Sequence, residues 1–135
     1  MTRVPGTPEP SGSPTTPVLV TGGTGHLGAN LVRRLLRDGQ RVRVLLRDGD
    51  NNEAVEGLEV ERVAGDIRDL KATRRALDGC QGVYHCAAKV STIEGNRAHR
   101  REVYECNVLG TRNVLQAARE SLQDVWRGSG CIRRP

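Results

Sequence analysis

The most constraining feature of this chain is a set of three glycines, Gly22, Gly25 and Gly28, in the run VLVTGGTGHLG from Val18 to Gly28. Before the turn, Val18, Leu19 and Val20 are enough to begin a buried parallel strand. After it, Leu27, Leu31, Val32, Leu35 and Leu36 recur with helical periodicity, while Arg33, Arg34 and Arg37 fall on the other face. A strand that turns sharply into a helix aims the free N–H groups of the helix N-terminus at the turn, and glycines there let a pyrophosphate approach the main chain. The glycine spacing therefore has the strand-turn-helix context that gives it meaning.

The rest of the chain alternates strand and helix, the pattern of a parallel sheet with crossover helices. Strand one is expected at Val18 to Thr21, and a helix from about His26 to Asp38 ends at Gly39, which suits a left-handed cap. Strand two is expected at Arg41 to Leu46, followed by a polar loop of turn formers over residues 48–52. Strand three is placed at Leu58 to Val63, and a second helix at about Asp69 to Leu77 has Asp69 as its N-cap. Strand four is placed at Val83 to Cys86, residues 89–98 as a loop, and a long helix at about Arg100 to Glu120. The expected fold is a Rossmann-type α/β sheet of strand order 3-2-1-4, with helices on both faces and the glycine turn where the order reverses.

Residues 1–17 hold five of the six prolines and no apolar periodicity, which predicts a disordered leader, whereas a signal peptide needs an apolar central run. The domain is expected over 18–120, with 121–135 an aberrant, unstructured tail. No stretch reaches the about 20 apolar residues of a membrane span. Cys80, Cys86, Cys106 and Cys131 form no Cys-x-x-Cys pair and have no zinc-like histidine spacing, so no metal site and a reducing, cytoplasmic setting are expected. The net charge of +5 is arginine-driven, since Lys71 and Lys89 are the only lysines. These arginines are scattered and aromatic residues for stacking are scarce, which argues for a solvated surface and against nucleic acid.

Four motifs then stand in order: Thr21-Gly22-Gly23-Thr24-Gly25-His26-Leu27-Gly28, Gly65-Asp66-Ile67-Arg68-Asp69 after strand three, His85-Cys86-Ala87-Ala88 closing strand four, and Asn107 to Asn113 in the long helix. Over residues 18–120 the chain resembles the extended short-chain dehydrogenase/reductase family. The resemblance is to its NAD-dependent epimerase/dehydratase and dihydroflavonol-reductase/hydroxysteroid-dehydrogenase-like branch, and to the N-terminal part only. It implies cofactor contacts from Gly22, Gly25, His26, Leu27 and Gly28, an adenine pocket at Asp66 and Ile67, and close passage of the cofactor over Ala87 and Ala88. It also implies that Asn107 supports the active site by local hydrogen bonding. Turn hydrogen bonding for Asp66 and plain packing for the alanines stay open. Cys86 reads as packing, not as a nucleophile.

Strand two ends Leu45-Leu46-Arg47, where an NAD site usually has an acid for the ribose 2′-hydroxyl. An arginine suits a 2′-phosphate, so NADP is preferred and NAD stays open through Asp48 or Asp50. On the long helix, Val103, Asn107, Gly110, Thr111, Val114 and Ala118 are expected to face inward, with Gly110 admitting the sheet closely.

Catalysis in the family uses a Tyr-x-x-x-Lys pair. Here Tyr84 and Tyr104 are followed four residues on by Ala88 and Val108, so no catalytic residue is assigned. After Glu120 the apolar pattern collapses where a fifth strand would begin, and the expectation is a truncation or reading-frame change. Strand four would then lie at a sheet edge open to self-association. Two functions follow from these expectations: the cofactor-binding part of a carbonyl reductase or nucleotide-sugar epimerase or dehydratase, inactive alone, or a non-catalytic dinucleotide sensor or subunit. A methyltransferase fits the glycine turn but not Asp66 or the Asn107 helix, and a phosphate-loop NTPase would need a lysine after the turn.

Overall fold

The alternation of the strands decides the architecture. Val18 and Val20 of β1 (Val18–Thr21) point to one side of the sheet with Val42, Val44 and Leu46 of β2 (Val42–Leu46), while Leu19 and Leu45 point to the other. Strands buried on both faces need a layer of helix on each, and both layers are present. In the computed structural model, which describes residues 16–91 and 95–123, the sheet is completed by β3 (Glu61–Ala64) and β4 (Gly82–His85). It is parallel throughout, in the order β3-β2-β1-β4.

On the first face, α1 (His26–Arg37) packs Val32 and Leu35 against Val18, Val20, Val42 and Val44. A 3₁₀ turn over Glu53–Val55 adds Val55, fully buried in the same cluster. On the second face, α2 (Leu70–Leu77) and α4 (Thr111–Ser121) enclose Leu19, Leu45, Ile67, Leu77, Val114 and Ala117. Helix α1 ends in a turn that uses Gly39 at φ 77°, with the N–H groups of Gly39 and Gln40 donating to Leu36 and Leu35. Asp69 caps α2 by accepting from the N–H groups of Lys71 and Ala72.

Arg43 alternates onto the second face, beneath the end of α2, where a charge needs partners. Its Nη1 donates to the Ala76 carbonyl at 2.9 Å and its Nε to Glu61 Oε2 at 2.9 Å. Cys80 beside it is buried, and burial pushes its thiol up to about 11, which leaves it a packing group.

Element boundaries differ from the sequence expectations in definite ways. Strand β3 pairs with β2 only from Glu61, three residues later than Leu58 suggested, because Leu58 and Val60 pack against the first core cluster before the ladder begins. Strand β4 starts at Gly82 and ends before Cys86. The long helix begins at Arg97, capped by the Asn96 side chain, as α3 (Arg97–Tyr104), and passes through a six-residue π-helical turn (Glu105–Gly110) before α4. Neither the earlier start nor the π turn has a periodicity signature.

Thr16 and Pro17, expected in the leader, accept hydrogen bonds from Gln81 through their carbonyls. Leu122, expected in the tail, is 4% exposed. Ser121, also expected in the tail, is the last residue of α4, and residues 1–15 and 124–135 lie outside the described residues. No helix among the described residues is long and apolar enough to cross a membrane.

Candidate functional site

A cleft of about 270 Å³ opens at the C-terminal ends of the strands, over the point where β1 lies between β2 and β4. Open parallel sheets bind ligands at such a reversal of strand order. Its wall is built from Thr21, Gly22, Thr24 and Gly25 of the glycine turn, Leu45, Arg47 and Asp50 around the end of β2, and Gly65, Asp66 and Ile67 after β3. Cys86, Ala87, Ala88 and Lys89 after β4, with Glu102 and Cys106 of the long helix, complete it. A second hollow of about 420 Å³ shares Arg47, Asp50, Gly65 and Asp66, and adds Asp48, Gly49 and Arg68.

The glycines of the turn serve three different purposes. Gly22 has φ 71°, and a Cβ there would lie 2.5 Å from the Ala87 nitrogen, so the turn sits directly on the chain leaving β4. A Cβ on Gly28 would lie 2.0 Å from the Gly22 carbonyl oxygen, which is how close α1 comes to the turn. Gly25 differs, since a Cβ there would meet only the Gly22 oxygen at 3.4 Å, an ordinary contact. The protein leaves room for a side chain at Gly25, and that room belongs to the cleft.

Gly25 is also the N-cap of α1, with no side-chain cap and no acidic residue in the first turn. A helix start without a capping acceptor offers its N–H groups to an anion. His26, Leu27 and Gly28 stand in that first turn, but none of them lines the cleft, and the Leu27 side chain is 69% exposed. Ala87 and Ala88 both line the cleft.

Asp66 lines the cleft and also makes the turn hydrogen bonds weighed for it. Its Oδ1 accepts from the Arg68 N–H at 2.9 Å, and its Oδ2 from Arg68 Nη2 at 2.7 Å. Burial pushes the Asp66 carboxyl up, but the Arg68 fork, the Arg68 N–H and the charges of Arg68 and Arg47 outweigh it, and the group sits below the ordinary carboxylate range. Arg47 pairs with Asp50, Nε to Oδ2 at 3.0 Å and Nη2 to Oδ1 at 2.9 Å. This contact raises the guanidinium further above its usual value.

Asn107 does not line the cleft but fixes a segment that does. Its Oδ1 accepts from the Lys89 N–H at 2.8 Å and its Nδ2 donates to the Lys89 carbonyl at 3.0 Å, so one carboxamide satisfies both backbone groups of that residue. The Lys89 ammonium in turn meets Glu102 at 2.5 Å. Gly110 makes its close approach to Ile67, whose Cδ1 would lie 2.6 Å from an added Cβ, and not to a strand.

The roles of three residues, Thr21, His85 and Asn113, escaped sequence reasoning. Thr21, fully buried at the end of β1, pairs in register with His85 of β4. The Ala87 N–H donates to Thr21 Oγ1 at 3.3 Å, Thr21 Oγ1 lies 2.6 Å from His85 Nδ1, and His85 Nε2 lies 2.9 Å from Thr111 Oγ1. Burial lowers the His85 pKa, and a neutral ring protonated at Nε2 satisfies the whole chain of contacts. Asn113 is buried and donates to the Ile67 carbonyl at 2.9 Å and to the Arg68 carbonyl at 3.1 Å. The inward face of the long helix accordingly includes Asn113 and Ala117 along with Gly110 and Val114, whereas Thr111 and Ala118 are half-buried. The signal for Thr21 and His85 was a polar residue closing each of two apolar strands, visible only once the strands are aligned.

Comparison with known proteins extends this geometry. Residues 18–132 match the NAD dependent epimerase/dehydratase family. The chain is 50% identical over 103 residues to sterol demethylase protein B of Methylococcus capsulatus, covering 76% of this chain and 30% of that protein. It is 38% identical over 107 residues to a 3 beta-hydroxysteroid dehydrogenase/Delta 5-->4-isomerase of Mycobacterium tuberculosis, covering 77% and 28%. The solved UDP-glucose 4-epimerase of Thermus thermophilus, in complex with NAD, superposes with a TM-score of 0.66 at 33% identity, covering 78% of this chain and 34% of that one. The chain thus spans about a third of the length of the relatives it matches.

Proposed function

The chain belongs to the NAD dependent epimerase/dehydratase family, within the extended short-chain dehydrogenases/reductases, and from that premise we propose that it forms the dinucleotide-binding part of a carbonyl reductase or a nucleotide-sugar epimerase or dehydratase. The observation that carries the reading is Gly25. The fold itself would accept a side chain there, so its absence serves whatever occupies the cleft. A pyrophosphate over the first turn of α1 is the group that needs this clearance.

In this reading the main chain of Gly22, Gly25, His26, Leu27 and Gly28 takes the pyrophosphate. Asp66 and Ile67 take the adenine, Arg47 the adenosine ribose, and Ala87 and Ala88 lie beneath the nicotinamide half. When bound, the nicotinamide supplies the hydride donor or acceptor of such reactions. Asn107 acts at one remove, by holding Lys89 and hence the segment carrying the alanines. NADP is preferred to NAD because Arg47, which lines the cleft just after β2, has a guanidinium suited to a 2′-phosphate.

The sequence supplies no Tyr-x-x-x-Lys pair, so this 135-residue chain is expected to bind without turnover. The reading includes a reducing, cytoplasmic setting for the thiols of Cys80, Cys86 and Cys106, and self-association through the open side of β4.

Titration of the chain with NADPH and NADH, followed by reduced-nicotinamide fluorescence, tests the proposal. Saturable binding of at least one is expected, with no oxidation in the presence of carbonyl or sugar-nucleotide substrates. A folded chain that binds neither would overturn the reading. Turnover would overturn the clause on inactivity.

A further inference from the structure

His85 ends β4 without lining the cleft, yet a run of side-chain contacts connects it to the cleft floor. The Ala87 N–H donates to Thr21 Oγ1 at 3.3 Å, and that oxygen lies 2.6 Å from His85 Nδ1. A hydroxyl has one hydrogen and two lone pairs. With Nδ1 as acceptor, the Thr21 hydrogen points at the ring, a lone pair is left for Ala87, and the Nε2 hydrogen goes to Thr111 Oγ1. A proton on Nδ1 reverses the first contact. Thr21 Oγ1 must then accept from both Nδ1 and Ala87, and its own hydrogen, on a residue with no exposed surface, meets no acceptor among the described residues. The contact that suffers is the one that matters to the cleft, because a Cβ on Gly22 would lie 2.5 Å from the Ala87 nitrogen, and Ala87 and Ala88 both line the cavity. Moving Ala87 off Thr21 therefore disturbs the seat of the glycine turn and the floor together.

We propose that His85 is a positioning residue for the dinucleotide: its Nδ1, by orienting the Thr21 hydroxyl, holds Ala87 and Ala88 where the cofactor meets them. The inference rests on the dinucleotide reading above. The elements packed most closely on β4 are β1 and α4. Strand β1 has no titratable residue, and the charged residues of α4, Arg112, Arg119 and Glu120, are exposed. Nearer the cleft, Glu102 and Glu105 are held by Lys89 and Arg101, and burial pushes the adjacent Cys86 thiol up, so that it stays neutral. Burial is what lowers the His85 pKa, and the ring is neutral above 6.5 and takes its proton below it.

The test is calorimetric titration with oxidised NAD and NADP, from about pH 8 to about pH 5.5, on the wild-type chain, His85→Asn, His85→Leu and Thr21→Val, each checked for folding by circular dichroism across that range. Asparagine keeps an acceptor near the position of Nδ1 and does not titrate. At the alkaline end His85→Asn should bind as the wild type does, while His85→Leu and Thr21→Val should bind about tenfold more weakly, the scale of one hydrogen bond. Wild-type affinity should fall below the ordinary histidine value of 6.5 toward that of His85→Leu, and His85→Asn should not follow it. The 2′-phosphate of NADP titrates in the same window, so the difference between wild type and His85→Asn is the quantity read. Wild-type and His85→Asn profiles of the same shape overturn this inference, as does His85→Asn binding no better than His85→Leu, or wild-type affinity in folded Thr21→Val. Each of these leaves the dinucleotide reading standing. Failure of the folded wild-type chain to bind either cofactor overturns that reading, and the inference with it.

Discussion

The side-chain nitrogen of Asn113 reaches across from α4 to the Ile67 carbonyl at 2.9 Å, tying the long helix to the loop that follows β3. That loop carries Asp66 into the cleft. Replacing Asn113 by leucine keeps the branched outline of the side chain but leaves two carbonyls, those of Ile67 and Arg68, without their donor. The expected loss is about 1–3 kcal/mol, read from urea unfolding. Dinucleotide affinity should fall as well, since Asp66 loses its support.

The glycines of the turn should separate by substitution. Gly28→Ala places a methyl against the Gly22 carbonyl oxygen and should destabilise the fold by about 1–3 kcal/mol or more. Gly25→Ala should melt close to wild type and bind NADPH at least about tenfold more weakly, since the methyl projects into the pyrophosphate's approach. Unaltered NADPH affinity in folded Gly25→Ala would refute the placement of the phosphates.

His85 predicts a pH response with a definite sign. Burial lowers its pKa below the ordinary value of 6.5, so the native state resists a proton that the unfolded chain accepts. The stability from the neutral ring is fully present above 6.5 and declines as pH falls through 6.5 toward the folded value. Melting temperature should drop over that window in the wild type, and this slope should flatten in His85→Gln. Asp66, lowered below the carboxylate range, loses its contribution only at more acid pH, so the two windows are distinct.

Among the described residues β4 pairs only with β1, and its other side is open, with Tyr84 44% exposed. An unprotected strand edge pairs with other copies. Sedimentation velocity should show association that grows with concentration, and Tyr84→Lys should shift the chain toward monomer. A wild-type chain that stays monomeric at high concentration would contradict the expectation.

The order of the sheet was legible because glycine spacing and apolar runs report backbone needs, and those are local. Asp69 as a cap and Gly39 as a helix stop were legible for the same reason. Asn113 was not, because a polar residue reads as exposed until its partners, 45 and 46 positions away, are known. The π turn over Glu105–Gly110 was hidden too, since it changes hydrogen-bond register without changing which residue types suit a helix. The Arg47–Asp50 fork was half visible: both residues drew notice as candidates, but sequence alone does not say that they grip each other.

The seating of the glycine turn on the chain after β4 has a bearing on how the molecule is made. Thr21 and Ala87 are hydrogen-bonded across 66 positions, and Gly22 touches the same backbone. Contacts that distant in sequence carry a loop-closure penalty and form late. The local packing of α1 behind β1 can be reached early, but the turn meets the chain after β4 only once β2, β3 and α2, which precede β4 in the sequence, have been made. A chain emerging during synthesis therefore completes the glycine turn only once β4 has been delivered, with α3 and α4 still to follow.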